Sequence, residues 1–248
     1  MKIKILTLLL LILCSPLRSW GQEVDSVQMV DETTQFKAEQ IILPATLITV
    51  GAIGLSDDGY RDATRRVQQD IAELRGDNYF QIEDYIQYLP AVAYLGLDYV
   101  GANAQHSFVD RAIVTATSWL SWVAITSGLK YTINSPRPDL SDSNSFPSGH
   151  TGIAFMGAEL IRTEYGTGYG IGAYAVACGV GFLRLWNNHH WFNDVIAGAG
   201  VGILSARIGY WMLPVWKKLF NLENSKTAVA IAPYYNNNTF GASMSMVF

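Results

Sequence analysis

Apolar and polar positions along this chain fall into long alternating blocks whose lengths suit helices. Runs at 41–55, 86–100, 112–131, 151–161, 169–185 and 195–211 are rich in Leu, Ile, Val, Ala and Gly and carry few charges. Several are shorter than the ~20 residues that a bilayer crossing needs, so their helices are expected to extend into flanking polar sequence. The pattern predicts an all-α fold, a polytopic transmembrane bundle of roughly six helices. Between the first two runs, residues 56–84 are polar with mixed charge. There the spacing of Val67, Ile71 and Leu74 predicts an amphipathic surface helix, either a solvated connector or a lid over substrate.

The two ends of the chain differ from this pattern. Lys2 and Lys4 precede an apolar stretch at 5–13, and Ser19 and Gly21 supply small residues, so 1–21 reads as a signal peptide cut after Gly21. Cys14 is not read as a lipidation site, because Leu13 stands where a small residue is needed. Residues 22–38 form a polar, acidic tail, 39–220 the membrane domain, and 221–248 an extension. Within the extension two β-prone runs, 228–235 and 239–248, flank Asn236, Asn237 and Asn238 and predict a small β-hairpin. Two strands cannot close a barrel.

Composition supports the membrane reading: 50% of the residues are hydrophobic and only 15% charged. A net charge of -4, with no Arg/Lys-rich tract, argues against a nucleic-acid partner. The two cysteines, Cys14 and Cys178, lie one in the leader and one in an apolar run, so no disulfide or cysteine metal cluster is expected. Small residues four apart, Gly168 with Gly172 and Gly198 with Gly202, predict close helix packing. Trp119, Trp122, Trp186 and Trp216 suit interfacial belts, and Trp191 suits a belt or a wall beside the chemistry.

That chemistry is concentrated in three runs, 130–138 (KYTINSPRP), 147–150 (PSGH) and 184–194 (RLWNNHHWFND). A phosphate monoester carries close to two negative charges, and its transfer depends on positioning and on fixed positive charge. Lys130, Arg137 and Arg184 supply such cations, the arginines through planar forks that match phosphate oxygens. Backbone N–H groups around Ser148 and Gly149, at a predicted helix start, add donors. His189 misses the spacing to Arg184 and Asp194 by one residue and reads as structural. His106 lies in a polar loop and reads as solvated.

Together the three runs resemble the three-part signature of the type-2 phosphatidic acid phosphatase superfamily, whose acid and lipid phosphatases are related to vanadium haloperoxidases. The resemblance covers 130–194 and implies a helical bundle of that type. It implies that His190 attacks phosphorus to give a phosphohistidine and that His150 protonates the leaving oxygen. Lys130, Arg137, Ser148, Gly149 and Arg184 would hold phosphate, with no metal and no cofactor. Asp194, four residues after His190 and expected on the same helix face, would fix the imidazole tautomer. The family's third run usually begins Ser-Arg, whereas Leu183 precedes Arg184 here, removing a hydroxyl donor that Thr151 or the backbone would have to replace.

The substrate implied is a lipid-linked phosphate: first a lipid A phosphate, with undecaprenyl diphosphate and phosphatidylglycerol phosphate as alternatives. A non-catalytic phosphate-binding membrane protein is the competing class. Leu183 favours it, and the paired His190 and Asp194 argue against it. The three runs fall at span ends on one face, and Arg111, Arg162, Lys217 and Lys218 fall on the other. By the positive-inside rule the active site then faces the periplasm from the inner membrane, provided that 41–55 is re-entrant or interfacial.

Overall fold

The computed structural model describes residues 31–222 and the backbone of 228–236 and 239–247. The expected signal peptide and most of the polar tail lie outside the described residues. Helix α1 is Glu39–Ser56, α2 Asp58–Arg75, α3 Glu83–Ile86 and α4 Leu89–Gly96, the last followed by a 3₁₀ turn Leu97–Val100. Then come α5 (Phe108–Thr132), α6 (Gly149–Tyr165), α7 (Thr167–Trp186) and α8 (Phe192–Leu219). The chain closes with β1 (Ala228–Asn236) and β2 (Thr239–Val247), paired antiparallel with Ala228 opposite Val247 and Asn236 opposite Thr239.

Four of these helices, α1, α5, α7 and α8, are long and apolar enough to cross a membrane. The chain is a multi-pass membrane protein. The two remaining expected spans have a different form. The run at 86–100 breaks into α3, α4 and the 3₁₀ turn, because Pro90 starts a new helix at α4 and Gly101 ends the segment at φ 99°. This broken segment packs inward. A Cβ on Gly157 of α6 would stand 2.6 Å from the backbone nitrogen of Ala91. Helix α6 has 17 residues and is buried on nearly every side, with Gly152, Ala154, Gly157 and Ala158 keeping its neighbours close.

Helices α6 and α8 form the centre, and α8 packs through its glycines as expected. Gly198 meets Ser148, Gly200 meets Pro44 and Ile48 of α1, and Gly202 meets Gly152 and Met156 of α6. The other predicted pair does not pack: a Cβ at Gly168 or Gly172 would meet nothing within 4 Å, and it is Gly170 that sits against Arg162.

Helix α1 is continuous, so 41–55 is not a re-entrant loop. It runs antiparallel to α8, with Gly51 and Gly54 beside Asn193 at one end and Gln40 hydrogen-bonded to Trp211 at the other. Residues 31–38 therefore lie at the end of the bundle opposite Lys130, His150 and Asp194. A translocated tail and a periplasmic site exclude each other once α1 crosses. The charge asymmetry is also weaker than expected. At the far end Arg111 pairs with Asp98, Arg162 with Glu159 and Lys217 with Asp110. Meanwhile α2 brings Arg61, Arg65, Arg66 and Arg75 to the end that holds the motifs.

Helix α2 also turns a different face inward than its apolar spacing suggests. Thr64 and Gln68 are buried, and Gln68 donates to the Leu185 carbonyl at 2.8 Å, whereas Val67 and Leu74 are exposed. Val67 and Leu74 thus face outward, and Gln68 holds the helix to the bundle by hydrogen bonds to the Leu185 carbonyl and Asn188.

His106 is not solvated. Its Nδ1 lies 2.8 Å from Glu164 Oε2 and its Nε2 2.6 Å from Asp31 Oδ2, with its side chain only 8% exposed. Tyr210 also donates to Glu164, at 2.8 Å. Glu164, wholly buried at the end of α6, needs a cation, and the loop before α5 supplies one. Burial pulls the His106 pKa down, but its bonds to Glu164 and Asp31 outweigh that and raise it above 6.5; bonds to His106 likewise carry Glu164 below 4.5 against its burial. The His106 contribution to stability is complete below pH 6.5 and is lost as pH rises through its raised pKa. The Glu164 contribution is complete above pH 4.5 and is lost as pH falls through its lowered one. Glu164→Gln should therefore destabilise by ~3–5 kcal/mol. In detergent-solubilised protein, the gap in unfolding midpoint between wild type and variant should be widest between pH 4.5 and 6.5. A gap that does not narrow on the alkaline side would contradict the charged pair.

Candidate functional site

The three motif runs meet at one end of the bundle because each begins or ends a helix there. Lys130 lies in the last turn of α5, with its ammonium on the Asn144 carbonyl. The loop that follows is pinned by the Ser135–Asn144 bridge and by the Arg137 amide on the Asp142 carbonyl at 2.9 Å. Arg137 Nη2 stands 3.7 Å from Asp142, and its Nε is buried with no partner. Arg184, in the last turn of α7, is 4% exposed; its Nη1 lies 3.4 Å from Glu83 and 3.7 Å from Asp84, and its Nε is again buried without a partner. Arg137 and Arg184 stand close enough to repel each other. Two neighbouring guanidiniums with unpaired donors make a site for an anion.

His190 is buried in the turn between α7 and α8, ahead of the helix, so it does not share a helix face with Asp194. Its Nδ1 lies 3.6 Å from Asp194 Oδ2, longer than a hydrogen bond, and Ser145 mediates. The Ser145 hydroxyl bonds Asp194 and stands 3.4 Å from Nδ1. Asp194 is held in turn by the Trp191 amide at 2.9 Å, as part of the α8 cap. With Nδ1 turned to Ser145 and Asp194, Nε2 is the nitrogen left to react. Burial pulls the His190 pKa down to about 4, and the charges of Arg184 and Lys130 add to that while Asp194 opposes it. The imidazole is neutral at neutral pH, as a nucleophile requires.

His150 sits in the first turn of α6, with Nε2 2.9 Å from Asp84 Oδ1. Burial and the Arg184 charge lower its pKa to about 4, against the upward pull of Asp84. Ser148 and Gly149 precede it as N-cap and first residue of α6. The Ser148 amide is already spent on the Asp194 carbonyl at 3.0 Å, and its hydroxyl lies 2.9 Å from that of Thr151. The first-turn amides from Gly149 onward are the backbone donors that remain for an anion. The Thr151 hydroxyl, a candidate to replace the one absent at Leu183, is paired with that of Ser148.

Glu83, Asp84, Ser145 and Asn187 escaped the sequence reading. Asn187 bonds Glu83 and the Phe80 carbonyl, fastening 78–84 to the 186–188 turn. The sequence signal was an adjacent pair of acids at the edge of an apolar run, and a buried acid needs a partner. His189 pairs with Asp139 at 2.9 Å, which fits the structural role read from its spacing. Among the described residues no group of three or more His, Cys, Asp or Glu side chains is placed to hold a metal ion.

Residues 111–218 match the model of the PAP2 superfamily. The chain carries a PAP2 superfamily domain. It is 34% identical over 157 residues to a lipid A 1-phosphatase of Porphyromonas gingivalis, covering 60% of this chain and 35% of that protein. It is 38% identical over 71 residues to a bacitracin transport permease protein of Bacillus licheniformis, covering 29% of this chain and 34% of that one. The chain thus spans about a third of the length of the curated relatives it matches. The crystal structure of a PAP2-type phosphatidylglycerolphosphate phosphatase from Bacillus subtilis superposes with a TM-score of 0.52 at 18% identity, over 74% of this chain and 98% of that one. The PAP2 helical fold is therefore shared, and all three motif runs lie inside the matched domain.

Proposed function

We propose that this PAP2 protein hydrolyses a lipid-linked phosphate monoester, a lipid A phosphate first, through a phosphohistidine on His190. The observation that carries the reading is the pair of buried, unpartnered guanidinium nitrogens on Arg137 and Arg184 beside a neutral, buried His190. In this reading the forks of Arg137 and Arg184, with Lys130 and the α6 amides, hold the phosphate oxygens. His190 Nε2 attacks phosphorus as the ester P–O bond breaks, and His150 gives its proton to the leaving oxygen. Water then attacks the phosphohistidine, His150 takes the water proton, and phosphate and free His190 are regenerated. Asp194 and Ser145 steady the imidazole as it gains positive character. The resemblance to a lipid A 1-phosphatase supports the choice of substrate. The test is phosphate release by purified, detergent-solubilised protein from lipid A, undecaprenyl diphosphate and phosphatidylglycerol phosphate; binding without release from all three would leave only a phosphate-binding protein.

Because protein cations take the place of a metal clamp in this scheme, turnover should persist in EDTA, and vanadate should inhibit as a five-coordinate mimic of the transition state. Activity lost to EDTA and restored by magnesium would contradict it.

The periplasmic orientation is adopted with the substrate, and with α1 crossing it requires residues 31–38 on the cytoplasmic side. In a Cys14→Ser, Cys178→Ser background, Asp142→Cys and Ser143→Cys should react with a membrane-impermeant thiol reagent added to the periplasmic side, and Lys218→Cys should not. The reverse pattern would place the site in the cytoplasm and remove outer-leaflet lipid A as the leading substrate.

A further inference from the structure

A second cleft adjoins the phosphate site. It has a volume of about 260 Å³ and lies between the end of α1, one side of α2, the 133–136 loop and the start of α8. Arg61, Thr64, Arg65, Asn134, Trp191 and Asn193 supply most of its polar and aromatic lining. Trp191 forms the partition. It follows His190 directly, and its indole N–H donates to the Pro136 carbonyl at 2.8 Å, one residue before Arg137. On the other side of that partition, Asn193 donates to Asp194 at 3.2 Å. The cleft thus borders the phosphate site through Trp191, Pro136 and Asn193, the chain neighbours of His190, Arg137 and Asp194.

The lining is chemically one-sided. Its two charged residues are both arginines and no carboxylate lines it. Asp58 holds one end of the Arg61 fork, while Arg61 Nε is buried with no partner. The Arg65 guanidinium lies 5.7 Å from the centre of the Trp191 ring, and among the described residues it makes no ion pair. An aromatic face, amide and hydroxyl side chains and two underused guanidiniums are what a sugar ring with its own anionic substituent would recognise. The volume is below the ~300–1,000 Å³ of pockets for drug-sized ligands, which suits a single ring.

We propose that this cleft is a headgroup subsite that binds a sugar carrying a second anionic group while the scissile phosphate lies at His190. The inference rests on the phosphatase reading of the neighbouring site. It makes a phosphorylated glycolipid, in preference to a simple glycerophospholipid, the matched substrate.

The test compares two lipids on the full chain in detergent. One is lipid A with two phosphates on its glucosamine disaccharide, and the other is phosphatidic acid, whose phosphate is carried on glycerol. Wild type should favour lipid A in kcat/KM, and the Arg61→Gln, Arg65→Gln double variant should lose about tenfold or more of that ratio, through KM, since a bond to a charged group is worth ~1.5–3 kcal/mol. Arg66→Gln, on the same helix but outside the lining, should keep the ratio. Arg65 is exposed, so Arg65→Gln alone guards against a double variant that fails to fold, and it should move the ratio in the same direction. Equal losses on both lipids, an unchanged ratio, or no wild-type preference would overturn the subsite. If neither lipid is turned over, the dissociation constants of the two lipids decide, and phosphate release from undecaprenyl diphosphate or phosphatidylglycerol phosphate separately decides the phosphatase reading. Lipid A binding weakened by the double variant, with phosphatidic acid binding weakened less, supports the subsite; parallel changes sink it.

Discussion

His190→Asn should lose at least about 10⁴-fold in kcat, the scale seen when a nucleophile is removed from an enzyme, while its unfolding midpoint stays near that of wild type. Asparagine keeps a polar group of similar reach beside Ser145 and Asp194, so the loss reports chemistry more than packing. The wild-type pH profile should carry the same signature. His190 is neutral above about 4, so the acid limb of kcat/KM falls near that value, well below the 6.5 of an ordinary histidine. Residual turnover within tenfold of wild type, or an acid limb near 6.5, would sink the assignment.

His150→Ala should separate substrates by leaving group. An alkyl or sugar oxygen needs a proton as the ester bond breaks and an aryl oxygen does not, so the loss should be about 10²–10⁴-fold on lipid phosphates and far smaller on p-nitrophenyl phosphate. The pH dependence follows with a definite sign. In the free site His150 has a pKa of about 4, so its protonated fraction, and with it kcat/KM for alkyl esters, falls as pH rises above that value. A bound phosphate offsets the Arg184 charge and raises the pKa, so kcat should hold to higher pH than kcat/KM. Aryl esters should lack the alkaline decline. Equal losses on both ester classes would remove His150 as the acid.

Much of the site was legible because its residues sit at helix ends fixed by local sequence. Lys130 closes an apolar run, Ser148-Gly149 opens one, and the turn with His190 joins two more, so three motifs distant in sequence had to meet at one end of an up-and-down bundle. The partners that tune them were not legible, because each is set by packing across long separations. Asp84 reaches His150 from 66 residues away and Glu83 reaches Arg184 from 101. Ser145 stands between His190 and Asp194 because the cap of α8 aims Asp194 at the Trp191 amide, a geometry that four-residue spacing alone misstates. The same limit explains His106, where a loop histidine was read without the buried Glu164 that holds it. The break at 86–100 did have a local signal in Pro90, and the apolar length of the run hid it. The α2 spacing was read correctly as amphipathic, and the inward face proved to be the one with Gln68, because carbonyls of the α7 end needed a donor there.

The most direct measurement is to trap the enzyme with a ³²P-labelled phosphate monoester, quench it, and map the label by peptide. The account predicts an acid-labile, base-stable phosphate on the peptide holding His190, formed during turnover and absent from His190→Asn. Phosphate release in wild type with no labelled enzyme at any quench time, or label that persists in His190→Asn, would contradict it.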